Sequence, residues 1–313
     1  MFDSFPPITY NQILMSKKSI KGIFILFLTA VIWGSSFVAQ SVGMEKIEAF
    51  TFNGIRTLMG SLVLLLFLLI RALIRREPLK ELFTPAQFKK ALILGVVFTF
   101  ASNFQQFAFY WSSAGKIAFI TALYMFFVPL LGLFIGKRSP LLTWICVIAA
   151  IFGLYLLTME GSDFSSVNKG DVMALICAFF FAIHILLIDR FTSDEDGIKM
   201  SCLQFLVAGV ITLVLMFIFE TPKIPLILSV SKPLLYSGIM SCGLAYTFQI
   251  VGQKYVSPVI ASLIMCMESV FAVLAAALFL HEGMSLRESL GCLIMFAAII
   301  VSQLSEFKTT ENN

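Results

Sequence analysis

"KALILGVVFTFASNFQQFAFYWSSAGKIAFITALYMFFVP", Lys90–Pro129, and "KPLLYSGIMSCGLAYTFQIVGQKYVSPVIASLIMCMES", Lys232–Ser269, follow one pattern. Gly95 in the first matches Gly238 in the second, and Gln106 matches Gln249. Earlier in each half, "KGIFILFLTAVIWGSSF" from Lys21 echoes "KGDVMALICAFFFAIHI" from Lys169. The period is about 140–150 residues, far longer than a solenoid unit. The chain therefore reads as two related halves, each built of several apolar segments.

The medium these segments occupy follows from composition. Of 313 residues, 59% are hydrophobic and 13% charged, with 33 Phe, against about 25% charged in a soluble domain. Ten segments approach bilayer length, near 22–43, 49–71, 91–112, 115–136, 141–159, 170–190, 199–219, 233–253, 257–280 and 287–305. None alternates as a barrel strand does, and in hydrocarbon every backbone group needs an internal partner, so helices are expected. The fold class expected is an all-α integral membrane protein of ten transmembrane helices. The first run, behind Lys17, Lys18 and Lys21, is too long for a signal peptide and reads as a retained span. With the N-terminus inside, inner loops hold fifteen Lys and Arg and outer loops six. The positive-inside rule then puts both termini in the cytoplasm, as a multi-pass protein of the cell membrane. Five spans per half is an odd number, so the halves insert upside down relative to each other. Such inverted repeats place substrate near the midplane. The expected organisation is an N-terminal segment 1–20, repeats 21–160 and 168–307, and a tail 308–313.

Several stretches carry a family resemblance: "WGSSF" from Trp33, "GIRTLMG" from Gly54, "AGKIAFITALYMFFVPLLGLF" from Ala114, "SPVIASLIMCMESVFAVLAAALFLHE" from Ser257 and "LRESLGCLIMFAAII" from Leu286. In this order and spacing they resemble the EamA family of the drug/metabolite transporter superfamily, over about residues 20–305. The resemblance implies two inverted five-helix repeats around a central cavity and, in many members, export of amino acids, metabolites or drugs. Ser269 stands where the family usually has Pro after the Glu of the ninth helix, which leaves a kink there open; Pro129 keeps its place in the fourth.

Polar residues inside apolar runs are the candidates for function, because an unpaired amide or charge in lipid is costly. Trp33 lies mid-span, away from the interfacial belt, and its N–H needs a partner. It reads either as packing or as cavity wall. Ser36 shares its segment. Asn103, Gln106 and Tyr110 are spaced by three and four, so one helix face carries them. Tyr246, Gln249 and Gln253 repeat that spacing in the other half. Both faces read as cavity lining or as interhelical hydrogen-bond glue. Tyr124 fits a cavity wall and Pro129 a kink. His184, aligned with Ser36, reads as packing or as a substrate contact. Glu268 is the only acidic residue between Tyr255 and Leu280; it reads as proton-coupling site, substrate contact, ion pair or backbone cap. Arg56 reads as a snorkelling side chain or a guard at the cavity mouth, and Lys116 as an interface anchor or gate. The segments near 141–159 and 287–305 are nearly featureless and are expected at the periphery.

Other classes lack their signatures. Cys146, Cys177, Cys202, Cys242, Cys266 and Cys292 form no CxxC pair and read as small buried hydrophobes. His281-Glu282 lacks a second His at Ser285, and no GxSxG, Walker loop, filter motif or nucleic-acid motif occurs. The expectation is a non-enzymatic secondary transporter without cofactor or metal. It exports a small organic molecule, amino-acid-like or drug-like, by alternating access, in exchange for protons, as a monomer or weak homodimer. The alternative is a uniporter or channel-like permease without proton coupling.

Overall fold

The computed structural model describes residues 10–137, 139–158, 167–280 and 285–311. Arg138 and the His281-Glu282 pair fall outside them. All regular structure among the described residues is helical, with no strand. The helices are α1 (Tyr10–Met44), α2 (Ala49–Arg75), α3 (Pro85–Ala108), α4 (Ala114–Ala122), α5 (Tyr124–Phe134), α6 (Leu141–Thr158), α7 (Lys169–Thr192) and α8 (Gly197–Phe219). After two short turns, α9 (Ile224–Ser229) and α10 (Ser231–Leu235), a π-helical stretch Tyr236–Ala245 runs into α11 (Tyr246–Gly252). Then come α12 (Pro258–Met265), α13 (Glu268–Leu280) and α14 (Leu286–Glu311). The first helix starts at Tyr10, inside the N-terminal segment 1–20 set apart in the sequence.

Among the described residues, seven helical segments are long and apolar enough to cross a membrane: Lys17–Met44, Ala49–Arg75, Pro85–Ala108, Ala114–Phe134, Lys169–Thr192, Gly197–Phe219 and Ser231–Gly252. Three shorter apolar helices, Leu141–Leu157, Pro258–Leu274 and Ser289–Ser302, coincide with the other segments marked in the sequence. The protein is a multi-pass membrane protein.

Local chemistry explains where helices begin. Thr84 and Gln87 form a capping box, with Pro85 at the first helical position of α3. Asn168 and Asp171 do the same for α7. Ser113 and Ser257 take the Lys116 and Ile260 amides at the starts of α4 and α12, equivalent positions in the two sequence halves. The α2 N-terminus is capped from a distance: Glu220 accepts the Phe50 and Thr51 amides at 2.7 and 2.6 Å.

Two helices break in mid-course. One break, at Leu123, separates α4 from α5; the other, at Cys266–Met267, separates α12 from α13. Both tighten into three-residue turns, with Leu123 N–H donating to the Ile120 carbonyl and Met267 N–H to the Ile264 carbonyl. The break does not need the proline. Pro129 sits inside α5, beyond the break, and the other break forms without a proline at Ser269. The kink left open by Ser269 is therefore present.

The helices pack crosswise between the two sequence halves. α1 lies against α11, α12 and α13, while α7 lies against α3, α4 and α5; α2 packs on α8. α6 and α14 pair with each other and leave Ile145, Ile148, Phe152, Leu293 and Ile300 exposed, as an outer pair would.

Charges collect at the ends. Where α2 stops and α3 starts, Arg71 pairs with Asp196 at 2.7 Å and Lys90 with Glu195 at 2.6 Å. Lys254 adds a hydrogen bond to the Glu195 carbonyl, and Lys137 pairs with Asp189. At the opposite end Lys116 pairs with Asp171 at 2.8 Å. The Lys90 ammonium, with the Gln87 amide, holds the Glu195 carboxyl below its ordinary 4.5. Burial works against Asp196, but the Arg71 guanidinium and the Ile198 and Lys199 amides hold it below its ordinary 3.8. Groups lowered in the folded state stabilise it above the unfolded carboxylate range, and that contribution is lost as pH falls through the lowered values. The melting temperature in detergent should therefore stay level from pH 7 to about pH 5 and drop below about pH 4. Substituting Lys90 and Arg71 by Ala should flatten that acid limb.

Candidate functional site

The breaks and the crosswise packing leave a cavity at the middle of the bundle, with about 430 Å³ of unfilled space counting its mouth. α1 supplies Trp33, Ser36, Phe37 and Gln40, all on one face by spacing of three, four and seven. Gln105 comes from α3, Thr121 and Tyr124 from the two sides of the first break, and Met265 and Glu268 from the two sides of the second. Phe181 and Ile185 come from α7, Ser241 from the π-helical stretch, and Tyr246 and Gln249 from α11. Arg56 of α2 completes the wall.

The wall is aromatic on one side. Trp33 and Tyr246 meet with centroids 4.5 Å apart. Behind Tyr246 stand Phe98 at 4.9 Å and Phe205 at 5.4 Å, both edge-on. The π-helical stretch just before Tyr246 changes the helical phase, and such insertions gather at functional sites.

The rest of the wall is polar and under-satisfied. Trp33 Nε1, Ser36 Oγ, Gln40 Oε1 and Gln249 Oε1 are buried with no hydrogen-bond partner among the described residues. Buried polar atoms normally have one, so four around one cavity mark a place for a polar guest or ordered water. Two charges join them. Arg56 is 2% exposed and Glu268 4%. No ion pair among the described residues involves either. Glu268 accepts one long hydrogen bond, from Tyr124 Oη at 3.4 Å. α1 clamps the turn that carries it: a Cβ on Gly34 would stand 2.6 Å from the Glu268 carbonyl oxygen, so only glycine allows this approach.

Of the residues singled out in the sequence, Trp33, Ser36, Tyr124, Tyr246, Gln249 and Glu268 line this one cavity. Arg56 lines it too. It does not snorkel, because it lies in the second turn of α2 and the neighbouring helices bury it. Asn103, Gln106, Tyr110, His184 and Lys116 are not in the wall. Asn103 bridges α2 and α8, bonding Asn53 and Thr212. Gln106 is fully buried, and its amide atoms find no partner among the described residues. Tyr110, half exposed beyond α3, accepts the Ala49 amide. His184 is fully buried with Nε2 3.0 Å from Gln204 Oε1. Lys116 is held by Asp171. Gln40, four residues past Ser36 on the same face, joins it in the wall. Gln105 also lines the cavity, although the repeat drew attention to its neighbour Gln106 instead. Among the described residues no group of three His, Cys, Asp or Glu could hold a metal ion.

Known proteins fit this architecture. A solved crystal structure of another protein superposes with a TM-score of 0.74 at 15% identity, covering 90% of this chain and 96% of that one, which establishes a shared fold. An uncharacterized transporter of Archaeoglobus fulgidus is 26% identical, over 88% of this chain and 84% of its own. The uncharacterized transporter YoaV of Bacillus subtilis is 24% identical, over 87% and 93%. The uncharacterized inner membrane transporter YedA of Escherichia coli is 25% identical, over 88% and 89%. The EamA-like transporter family matches twice, over residues 20–159 and 168–303. With nearly the whole chain matched in two stretches, and a cavity between the helices of both, the protein belongs to the EamA-like transporter family.

Proposed function

We propose that this chain is a secondary transporter that moves a small, amino-acid-like organic metabolite out across the cell membrane by alternating access. One observation carries this: a midway cavity whose wall holds four polar atoms without a hydrogen-bond partner, and the charged Arg56 and Glu268 without an ion-pair partner, among the described residues. Such a wall is costly to bury empty and suits a polar guest that enters and leaves. The aromatic pair Trp33–Tyr246 would take the guest's apolar part.

In this reading the chain crosses the bilayer ten times, in two inverted repeats, 21–160 and 168–307, with both termini in the cytoplasm. The crosswise packing supports it. Gly95 of α3 lies against Val207 of α8, and its sequence counterpart Gly238 lies against Met59 of α2. A pseudo-twofold axis in the membrane plane produces such an exchange, and rocking one repeat on the other opens the cavity to each side in turn. The breaks at Leu123 and Cys266–Met267 are then the same feature in two copies.

Single cysteines test the topology. Five native thiols, Cys146, Cys177, Cys202, Cys242 and Cys266, are buried, and the partly exposed Cys292 is replaced by Ser to remove its background. In intact cells a membrane-impermeant maleimide should label Lys46→Cys, and should label Lys80→Cys only after the membrane is opened. Labelling of both from the same side would overturn the inverted-repeat reading.

A further inference from the structure

A guanidinium inside a membrane span needs an anion or a dense set of acceptors, because an unpaired buried charge is costly. Arg56 has neither among the described residues. Its Nε donates to Asn53 Oδ1 at 2.9 Å, and its guanidinium carbon stands 5.8 Å from the Phe52 ring. Its two terminal amino groups donate to no described residue, and the side chain lines the cavity.

The one hydrogen bond its side chain makes to a described residue is held in a fixed direction. The Thr99 carbonyl can only accept, so the Asn103 group that meets it at 2.9 Å is the Nδ2 donor, which also reaches Thr212 Oγ1 at 3.0 Å. Asn103 Oδ1 therefore points the other way and accepts from Asn53 Nδ2 at 2.8 Å. With Nδ2 engaged there and on Ser102 Oγ at 3.1 Å, Asn53 can offer Arg56 only its oxygen. A backbone carbonyl of α3 thus sets the orientation of two amides in turn. The second amide grips the guanidinium by its inner nitrogen and leaves its outer fork free.

We infer that Arg56 is the anchor for a carboxylate on the transported molecule, and that Asn53 and Asn103 are positioning residues that aim its fork into the cavity. The fork geometry of a guanidinium matches a carboxylate with two parallel hydrogen bonds. Glu268, in the same wall, faces the other end of the guest, so the charge pattern is that of a zwitterion: carboxylate on Arg56, ammonium toward Glu268. This rests on the transporter reading above and adds the ligand's charge pattern to it.

Three probes separate the charges: L-phenylalanine carries both, N-acetyl-L-phenylalanine only the carboxylate, and L-phenylalaninamide only the ammonium. Binding is measured calorimetrically on the purified full-length protein in detergent. Wild type should bind the two carboxylates and hold the amide more weakly. Arg56→Gln should lose about tenfold or more in affinity for both carboxylates and leave the amide unchanged. Asn103→Leu should weaken the carboxylates several-fold and spare the amide. Should Asn103→Leu fail to fold, Asn53→Asp gives the same selective loss by setting a carboxylate of the protein's own against Arg56. Equal weakening of all three probes by the Asn variants would make them merely structural and overturn the positioning roles. Unchanged carboxylate affinity in Arg56→Gln, or no binding of either carboxylate to wild type, would overturn the anchor. Uptake by proteoliposomes keeps the two readings apart. Carboxylate-selective binding without transport defeats the transporter reading alone, and transport indifferent to the carboxylate defeats this inference alone.

Discussion

Ser36→Trp stops transport: initial uptake into proteoliposomes falls to the protein-free level, while Ser36→Ala changes it less than tenfold. Ser36 is 1% exposed and lines the cavity, and its hydroxyl has no partner among the described residues. Losing that hydroxyl therefore breaks no internal bond, and at most one hydrogen bond to the guest is lost, worth about 0.5–1.5 kcal/mol. An indole brings on the order of 150–250 Å² of surface into the same place. The space available, about 430 Å³ counting the mouth, is already walled by Trp33, Phe37 and Tyr246. The added ring occupies the guest's position. The ring overpacks this wall, a change that typically costs about 1–3 kcal/mol. Yield and melting temperature in detergent check that the protein still folds. Normal uptake by a folded Ser36→Trp protein would place the transport path elsewhere.

The sequence marked helix positions well and helix rotation poorly, for a physical reason. The bilayer imposes a length on apolar segments, and composition records length. It does not record which side of a helix faces the centre when protein covers both sides. α3 shows this. Asn103, Gln106 and Tyr110 share a spacing and read as one face, yet the wall residue is Gln105. Asn103, two residues away and so nearly opposite on the helix, spends its amide on the bridge to α2 and α8. Polar residues on a helix packed on two sides serve as glue on one and as lining on the other, and the spacing is the same for both. His184 shows the same ambiguity: its alignment with Ser36 left packing and substrate contact open, and its imidazole turns to Gln204 and the Phe98 ring. Arg56 was legible as a charge in an apolar run, with snorkelling and a place at the cavity mouth both left open. Snorkelling needs an open path to the interface, and only the packing shows that this path is closed. The cues that could be read were of another kind. Gln40 follows Trp33 and Ser36 at helical spacing within one uncharged stretch, and Glu268 is the sole acid of its segment.

Glu268→Gln should abolish substrate-driven proton flux while leaving substrate exchange across the membrane measurable. Glu268 opens α13 just past the break, with its carboxyl in the cavity wall and its backbone locked by Gly34 of α1. One long hydrogen bond from Tyr124 is its whole set of polar partners among the described residues. No Lys or Arg among them pairs with it. A carboxyl so lightly held can carry either a proton or the ammonium of a zwitterionic guest, but not both. We propose that exchange rests on that exclusion: the substrate binds after the proton leaves and the proton returns after the substrate leaves, which would tie each crossing of one to a return of the other. Glutamine keeps the size and a polar contact but cannot lose or gain a proton at this pH. Uptake against a gradient should then fall to the leak level, while counterflow of labelled against unlabelled substrate continues at reduced affinity. His184→Gln supplies the contrast. His184 is outside the wall and bonded to Gln204, so coupling should persist in that variant. A pH-sensitive dye inside the proteoliposomes reads both. If Glu268→Gln still moves protons with substrate, the exchange site is elsewhere; if His184→Gln loses them, the proton path runs through α7.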